Sequence, residues 1–332
     1  MSELGLYLHV PFCDGKCPYC DFYSRKGDGP LMDRYVRRMA EALEQWGESH
    51  SRGGERETLR TIYIGGGTPN LLGAERLTAL LEAAARAFFV LPGAEVTVEA
   101  NPTQVDGLFF QALKQAGVGR VSMGLQSANE DELRLLGRKH TARDVERAVS
   151  EARTAGIENL SLDLMLGLPG GSRESLLRSI QFAAGLGVEH ISSYILKVEE
   201  GTPFAARGIQ VPEDDETADQ YLFCVEELAK RGYGQYEISN FSRPGRESRH
   251  NLVYWRGDEY LGFGPGAHSF YRGKRFFYPR DLEAFLQGCP PCGDGEGGSP
   301  EEFAMLNLRL TRGLRRADCG ERFGTAGEQL FD

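Results

Sequence analysis

The chain has 332 residues, 41% hydrophobic and 26% charged, an ordinary globular composition with room for one large domain and an appendage, or for two domains. A net charge of −10 argues against a nucleic-acid-binding surface, which needs a basic stripe; the local run Arg312, Arg315, Arg316 reads as a solvated face. Residues 1–10 lack the basic flank and long apolar run of an export signal, and no run of about 18 apolar residues is there to span a membrane.

Strand and helix patterns alternate through the first 200 residues. Residues 4–10 read as an apolar strand. Residues 33–46 read as a helix, with Val36, Met39, Leu43 and Trp46 on one face. A short strand at 61–64 runs into three glycines, followed by a helix at 74–89 and a valine-rich strand at 94–100 that breaks at Asn101-Pro102. Then come a helix at 105–116 closed by Gly117, a strand at 120–124, a helix at 142–155, a strand at 159–166, a helix at 172–184 and a strand at 190–196. Six strand–helix alternations imply parallel strands with crossover helices, either an open sheet or a barrel. The polar candidates fall at the carboxyl ends of strands, where both architectures build their sites. Beyond residue 200 strands are hard to place and aromatics accumulate, as in a second, less regular α/β portion. Residues 288–300 (GCPPCGDGEGGSP) read as a linker, and a helix begins over 301–310.

Three of the seven cysteines crowd into eight positions, which in a reducing compartment indicates metal or redox chemistry over disulfides. Cys13, Cys17 and Cys20 follow the first strand. Three thiolates hold three irons of a cubane and leave the fourth open to an outside ligand; a zinc site would want a fourth Cys or His at a paired spacing. The glycines of 65–69 (Gly-Gly-Gly-Thr-Pro) let backbone approach a ligand closely. Glu99, Gln126 and Asp163 lie in or after strands, and Arg138 in a loop. A carboxylate within an apolar strand is costly unless paired or bound. From residue chemistry alone His250, near aromatics, reads as capping a turn in preference to ligating haem. His9 reads as core or hydrogen-bonded. Cys289 and Cys292 are taken as incidental, Cys224 as core, and Cys319 has no visible partner.

Several segments together resemble the coproporphyrinogen III oxidase-like branch of radical S-adenosylmethionine (SAM) proteins: Tyr7-Leu8-His9-Val10-Pro11-Phe12-Cys13, Cys17-Pro18-Tyr19-Cys20-Asp21-Phe22, the glycines of 65–69, Glu99-Ala100-Asn101-Pro102, Ser122-Met123-Gly124-Leu125-Gln126-Ser127, Leu136-Gly137-Arg138-Lys139-His140 and Asp163-Leu164-Met165-Leu166-Gly167-Leu168-Pro169. Tyr236-Glu237-Ile238-Ser239-Asn240-Phe241 and His250-Asn251-x2-Tyr254-Trp255 extend the resemblance over nearly the whole chain. Within the branch, the oxygen-independent coproporphyrinogen III dehydrogenase carries a fourth cysteine where this chain has Phe22, and a long arm before its first strand. Haem-chaperone members carry the His-Asn-x2-Tyr-Trp motif, so the resemblance favours them.

The resemblance implies a partial (β/α)6 radical SAM TIM-like barrel over residues 1–200 and a C-terminal α/β extension over 201–287. After the linker at 288–300, residues 301–332 would begin a small helical, winged-helix-like region that family members continue further. It implies a [4Fe–4S] cluster on Cys13, Cys17 and Cys20, with SAM contacted by Tyr7, Gly66, Gly67, Thr68, Glu99, Gln126, Arg138 and Asp163. Reductive cleavage of SAM is within reach of such a scaffold, and no catalytic residue is assigned. Haem is implied as cargo, contacted by His250 and delivered to haem-requiring respiratory enzymes, with an electron donor serving the cluster. The expected setting is the cytoplasm, with no nucleic acid and no membrane span, peripheral membrane contact being left open. The alternatives are the dehydrogenase itself and a zinc-dependent or purely structural protein.

Overall fold

A computed structural model describes residues 3–51 and 54–331. Its first two-thirds run β1 (Glu3–Val10), α1 (Gly29–His50), β2 (Thr58–Gly66), α2 (Gly73–Ala87), β3 (Phe89–Ala100), α3 (Gly107–Gln115), β4 (Arg120–Gln126), α4 (Glu130–Leu135), α5 (Ala142–Thr154), β5 (Asn159–Leu166), α6 (Arg173–Gly185) and β6 (His190–Ile195). The remainder holds α7 (Pro203–Ala206), α8 (Asp214–Lys230), β7 (Gly234–Glu237), β8 (Asn240–Ser242), α9 (Arg249–Trp255), β9 (Tyr260–Phe263), β10 (His268–Tyr271), β11 (Lys274–Phe277), α10 (Leu282–Leu286), β12 (Cys292–Glu296), α11 (Pro300–Asn307), α12 (Arg316–Phe323) and α13 (Thr325–Glu328).

One sheet runs through all of this, in the order β12-β11-β10-β9-β1-β2-β3-β4-β5-β6-β8-β7. Strands β1 to β6 are parallel neighbours in sequence order, each joined to the next through helix, and β1 and β6 do not pair with each other. This is the expected partial six-stranded barrel, open on one side. Strand β8 adds to β6 antiparallel, and β9 adds to β1 parallel.

Side-chain alternation splits each barrel strand into an apolar outer row and a polar inner row. Leu4, Leu6, Leu8 and Val10 of β1 are fully buried, as are Ile64 of β2, Val98 of β3, Val121, Met123 and Leu125 of β4, and Leu160, Leu162 and Leu164 of β5; all join one core with the helices. Each such side chain contributes about 1.5–3 kcal/mol. The alternate residues, Tyr7, His9, Thr61, Tyr63, Glu99, Arg120, Ser122, Ser161, Asp163, His190 and Ser192, turn toward one another inside.

Helix starts follow local capping. Asp28 accepts from the Leu31 amide at 2.9 Å, Thr141 and Asp144 form a reciprocal capping box, and Ser172 does the same with Ser175. Asp106 caps α3, so Val105 stays extended outside the helix expected from 105. The helix expected to reach 89 stops at Ala87, because Phe89 already pairs with Thr58 in β3. Residues 288–300 differ from the expected linker: Cys292–Glu296 form the edge strand β12 against β11, and Pro300 opens α11 behind a Ser299 cap. Among the described residues no helix is long and apolar enough to cross a membrane.

Candidate functional site at the carboxyl rim of the barrel

The loop after β1 is closed at its base by two backbone hydrogen bonds, Cys13 N–H to the Arg25 carbonyl at 3.0 Å and Arg25 N–H to the Pro11 carbonyl at 2.9 Å. Between them lie Cys13, Cys17 and Cys20, all free thiols of intermediate exposure. The loop is braced from three directions. Thr68 Oγ1 donates to Cys13 Sγ and Arg138 Nη1 to Cys17 Sγ, each at 3.5 Å, and Phe204 N–H donates to the Pro18 carbonyl at 2.9 Å. Burial pushes the Cys20 thiol up in pKa.

Gly66 and Gly67 are required by the chain's own packing as well as by any ligand. Gly66 has φ of +116°, and a Cβ there would lie 2.8 Å from the His9 ring; a Cβ on Gly67 would lie 2.4 Å from the Phe12 carbonyl oxygen. The end of β2 can therefore lie against the root of the cysteine loop, with the Gly67 amide donating to the Val10 carbonyl at 2.8 Å.

Glu99, the residue before the last in β3, faces this corner. It accepts from Tyr63 Oη at 2.8 Å and from the Gly66 amide at 3.2 Å. Burial raises its pKa to about 7, against the opposing pull of the Tyr63 hydrogen bond. Asp163 accepts from Ser122 Oγ at 3.4 Å and is likewise raised by burial. Gln126 has φ of +64°, a left-handed conformation that costs a non-glycine residue on the order of 1 kcal/mol or more and concentrates at functional sites. At that point β4 slips register against β5. Arg138 Nη2 donates to the Gly124 carbonyl at 3.3 Å, while its buried Nε has no partner among the described residues. Both Arg138 and Gln126 lie over Gly124, where a Cβ would meet each at 2.5 Å. Tyr7 Oη bonds His9 Nδ1 at 3.0 Å, and His9 Nε2 bonds the Tyr23 carbonyl at 3.0 Å, tying β1 to the loop.

Of the expected residues, Gly66, Gly67, Thr68, Glu99, Gln126 and Arg138 belong to strand ends and loops on the side of the barrel that carries the three cysteines, while Tyr7 and Asp163 stand within β1 and β5. His250 is not at that rim, although its ring adjoins that of Tyr7 at 6.5 Å. It lies on α9 and shares hydrogen bonds with Thr61 Oγ1 through Nδ1 and with Tyr254 Oη through Nε2, both at 2.8 Å. Thr61 and Gly66 stand five residues apart on β2, roughly 16 Å along the strand. The His250 ring is 1% exposed and stacks on Tyr63 at 5.1 Å. Burial lowers its pKa to about 3, so it is neutral, and neither nitrogen is open to an iron in this arrangement.

Sequence reasoning missed Arg120, 2% exposed on the inner row of β4; no hydrogen bond or ion pair of its side chain is found among the described residues. The alternation Arg120-x-Ser122-x-Gly124 was the available signal. Cys224 is buried beside Ser193 and Cys319 is buried, while Cys289 and Cys292 are exposed free thiols.

The rim suits a cubane and its ligand. Among the described residues no three of His, Cys, Asp or Glu are placed to share a single metal ion. A cubane asks for one thiolate per iron, and the loop offers three. The unpartnered Arg138 Nε and the raised carboxyls of Glu99 and Asp163 are groups that a charged, hydroxyl-bearing ligand would satisfy.

Residues 7–183 match the radical SAM superfamily. The heme chaperone HemW of Mycobacterium tuberculosis is 38% identical over 96% of this chain and 85% of its own length, and that of Escherichia coli K12 is 38% identical over the same shares. The mouse protein named radical S-adenosyl methionine domain-containing protein 1, mitochondrial, is 39% identical over 81% of this chain and 61% of its own length. Among solved structures, coproporphyrinogen III oxidase (HemN) from Escherichia coli superposes with a TM-score of 0.77 over 98% of this chain and 75% of its own, at 22% identity, a likeness of fold.

Proposed function

The chain belongs to the radical SAM superfamily and, within it, to the family of the heme chaperone HemW, and on that premise we propose that it binds haem and passes it to haem-requiring respiratory enzymes in the cytoplasm. Cys13, Cys17 and Cys20 would hold a [4Fe–4S] cluster at the carboxyl rim of the barrel, leaving one iron for SAM. When bound and reduced by an electron donor, that pair supplies one-electron cleavage of a carbon–sulfur bond.

The chain's own residues do the positioning. Arg138 presents a fixed cation beside Cys17, suited to a carboxylate. Glu99, held by Tyr63 and Gly66, accepts from an amine, and Asp163 from ribose hydroxyls. Gly66 and Gly67 keep side chains out of the corner where backbone must come close. The buried outer rows of the strands and their helices wall off the interior from water.

The observation that carries the reading is the gathering of three free thiols, Arg138 and Glu99 at one rim, within a chain matched to haem chaperones over nearly all its length. The position of a fourth cysteine in the dehydrogenase is filled by Phe22, 66% exposed, which favours the chaperone over coproporphyrinogen decarboxylation. His250 is the residue given to haem by the resemblance; with both ring nitrogens bonded, to Thr61 and Tyr254, a direct contact with the iron would require one of those bonds to open. Anaerobic incubation of the reconstituted chain with SAM, reductant and coproporphyrinogen III, beside a haem titration, tests this. Stoichiometric haem binding without porphyrinogen turnover supports it; sustained formation of protoporphyrinogen would assign the dehydrogenase instead.

A further inference from the structure

A buried cation stands inside the barrel without a direct partner. Arg120 opens β4 and is 2% exposed. Its register neighbours are Thr97 on β3 and Asn159 on β5. Across this row Thr97 Oγ1, Arg120 Nε and Asn159 Oδ1 are each buried with no partner among the described residues. A guanidinium is costly in such a place unless other charges compensate it, and unlike an ammonium it does not escape by shedding its proton. An arginine kept for structure alone would show its role as bonds, and none is found for this side chain. Glu95, two residues before Thr97, is spent on the backbone N–H groups of Arg249 at 3.2 Å and His250 at 3.0 Å.

The charge instead acts across the interior, on Asp163 above all. Ser122, the next inner residue of β4, donates to the Asp163 carboxylate at 3.4 Å, and Ser192 of β6 bonds it as well. The other titratable or charged groups that act with Asp163 are Tyr63 of β2, Glu99 of β3, Tyr194 of β6 and Arg138 in the loop after α4. Burial pushes the Asp163 carboxyl up in pKa; the Ser192 bond draws it down, then Arg120, ahead of Ser122 and Arg138. Of the two cations, Arg138 already donates to Cys17 Sγ and the Gly124 carbonyl, and it is the one suited to a ligand carboxylate. Arg120 is the one left for Asp163. In a dry interior a charge acts at a distance where water would screen it. The same charge, after burial, helps to keep His190 and His250 neutral.

We propose that Arg120 is a positioning residue for SAM: its unpaired charge holds the Asp163 carboxylate, nearer the rim, as an acceptor for both ribose hydroxyls. This rests on the reading of Asp163 as the ribose contact. It also accounts for the missing bonds, because a direct pair with Asp163 or Glu99 would take an acceptor oxygen away from the ligand.

The test compares wild type, Arg120→Met, Arg120→Lys and Asp163→Asn as full chains. In apo protein labelled with carbon-13 aspartate, the Asp163 carboxyl resonance is the one absent from Asp163→Asn, which separates it from Glu99. Its titration midpoint rises by about one unit in Arg120→Met and returns to the wild-type value in Arg120→Lys. After anaerobic reconstitution, SAM affinity on the acidic side of both midpoints is about tenfold weaker in Arg120→Met than in wild type. The difference vanishes at alkaline pH, where Asp163 is ionised in both. Arg120→Gln gives the same reading should the methionine variant fail to fold. An Asp163 midpoint unmoved by loss of the charge, a SAM loss equal at every pH, or a lysine variant no better than methionine overturns the proposal. Asp163→Asn binding SAM as wild type does sinks the ribose assignment itself, a result distinct from these.

Discussion

Replacing Gly67 by alanine puts a methyl group 2.4 Å from the Phe12 carbonyl oxygen and 3.1 Å from Ser24 Cβ. The first contact is with backbone, and it must open to at least 3.0 Å, the distance below which real Cβ contacts essentially do not occur. Neither side yields easily. The Gly67 amide is bonded to Val10, and the neighbouring Cys13 amide to Arg25. Overpacking of this kind costs about 1–3 kcal/mol, and here the displaced atoms adjoin the first cluster cysteine. Gly107→Ala is the control: nothing lies within 4 Å of its Cβ position, it opens helix α3, and stabilisation of up to about 1 kcal/mol is expected. Urea denaturation of both apo variants and their iron content after anaerobic reconstitution measure the effect. Gly67→Ala should unfold earlier and load less iron. Were it to match wild type in midpoint and in iron per chain, the packing argument for the glycine turn would be wrong.

The remaining predictions concern the polar interior. Glu99 has a folded-state pKa near 7, above the value of about 4.3 for an unfolded glutamate, so the native apo protein holds that proton more tightly. Its contribution to stability is therefore greatest at low pH and is lost as pH rises from about 4.5 through 7, by at most about 3 kcal/mol. The difference between wild type and Glu99→Gln denaturation curves across that interval should fall with pH; a rise would contradict it. His250→Ala removes a buried ring and leaves Thr61 and Tyr254 without partners, at a cost of about 2–4 kcal/mol. The variant's Soret band, once haem is bound, should keep its wild-type position; a shifted band would make His250 an iron ligand after all. Arg138→Met should weaken SAM binding to the reconstituted protein about tenfold or more while the cluster still forms, and calorimetric titration showing unchanged affinity would remove Arg138 from the carboxylate site.

Much of the barrel was legible because its physics is local. The apolar runs of β1 and β5 and the glycine that follows α5 mark their elements without help from the rest of the chain, and the residues 159–166 coincide with β5. Where a cap or a pairing decided the boundary, sequence periodicity drifted: Asp106 ended the extended segment before α3, and Thr58 drew Phe89 into β3. Strands β7 to β12 were illegible because they are three to five residues long and add to an existing sheet edge, so their stability comes from partners far away in sequence. The same holds for Cys292–Glu296, where glycine and proline content pointed to a linker. The rim residues were visible as polar positions at strand ends. Arg120 was overlooked because it opens its strand, and only its alternation with Ser122 and Gly124 marks it as facing the lumen and not solvent.

The central claim is that Cys13, Cys17 and Cys20 present a cubane with one iron open to SAM. Electron paramagnetic resonance of the anaerobically reconstituted, reduced chain, recorded with and without SAM, addresses it most directly. The account predicts a reduced [4Fe–4S] signal that changes on adding SAM and disappears in a Cys17→Ala variant. A spectrum that is silent, or that persists unaltered by SAM, would contradict it.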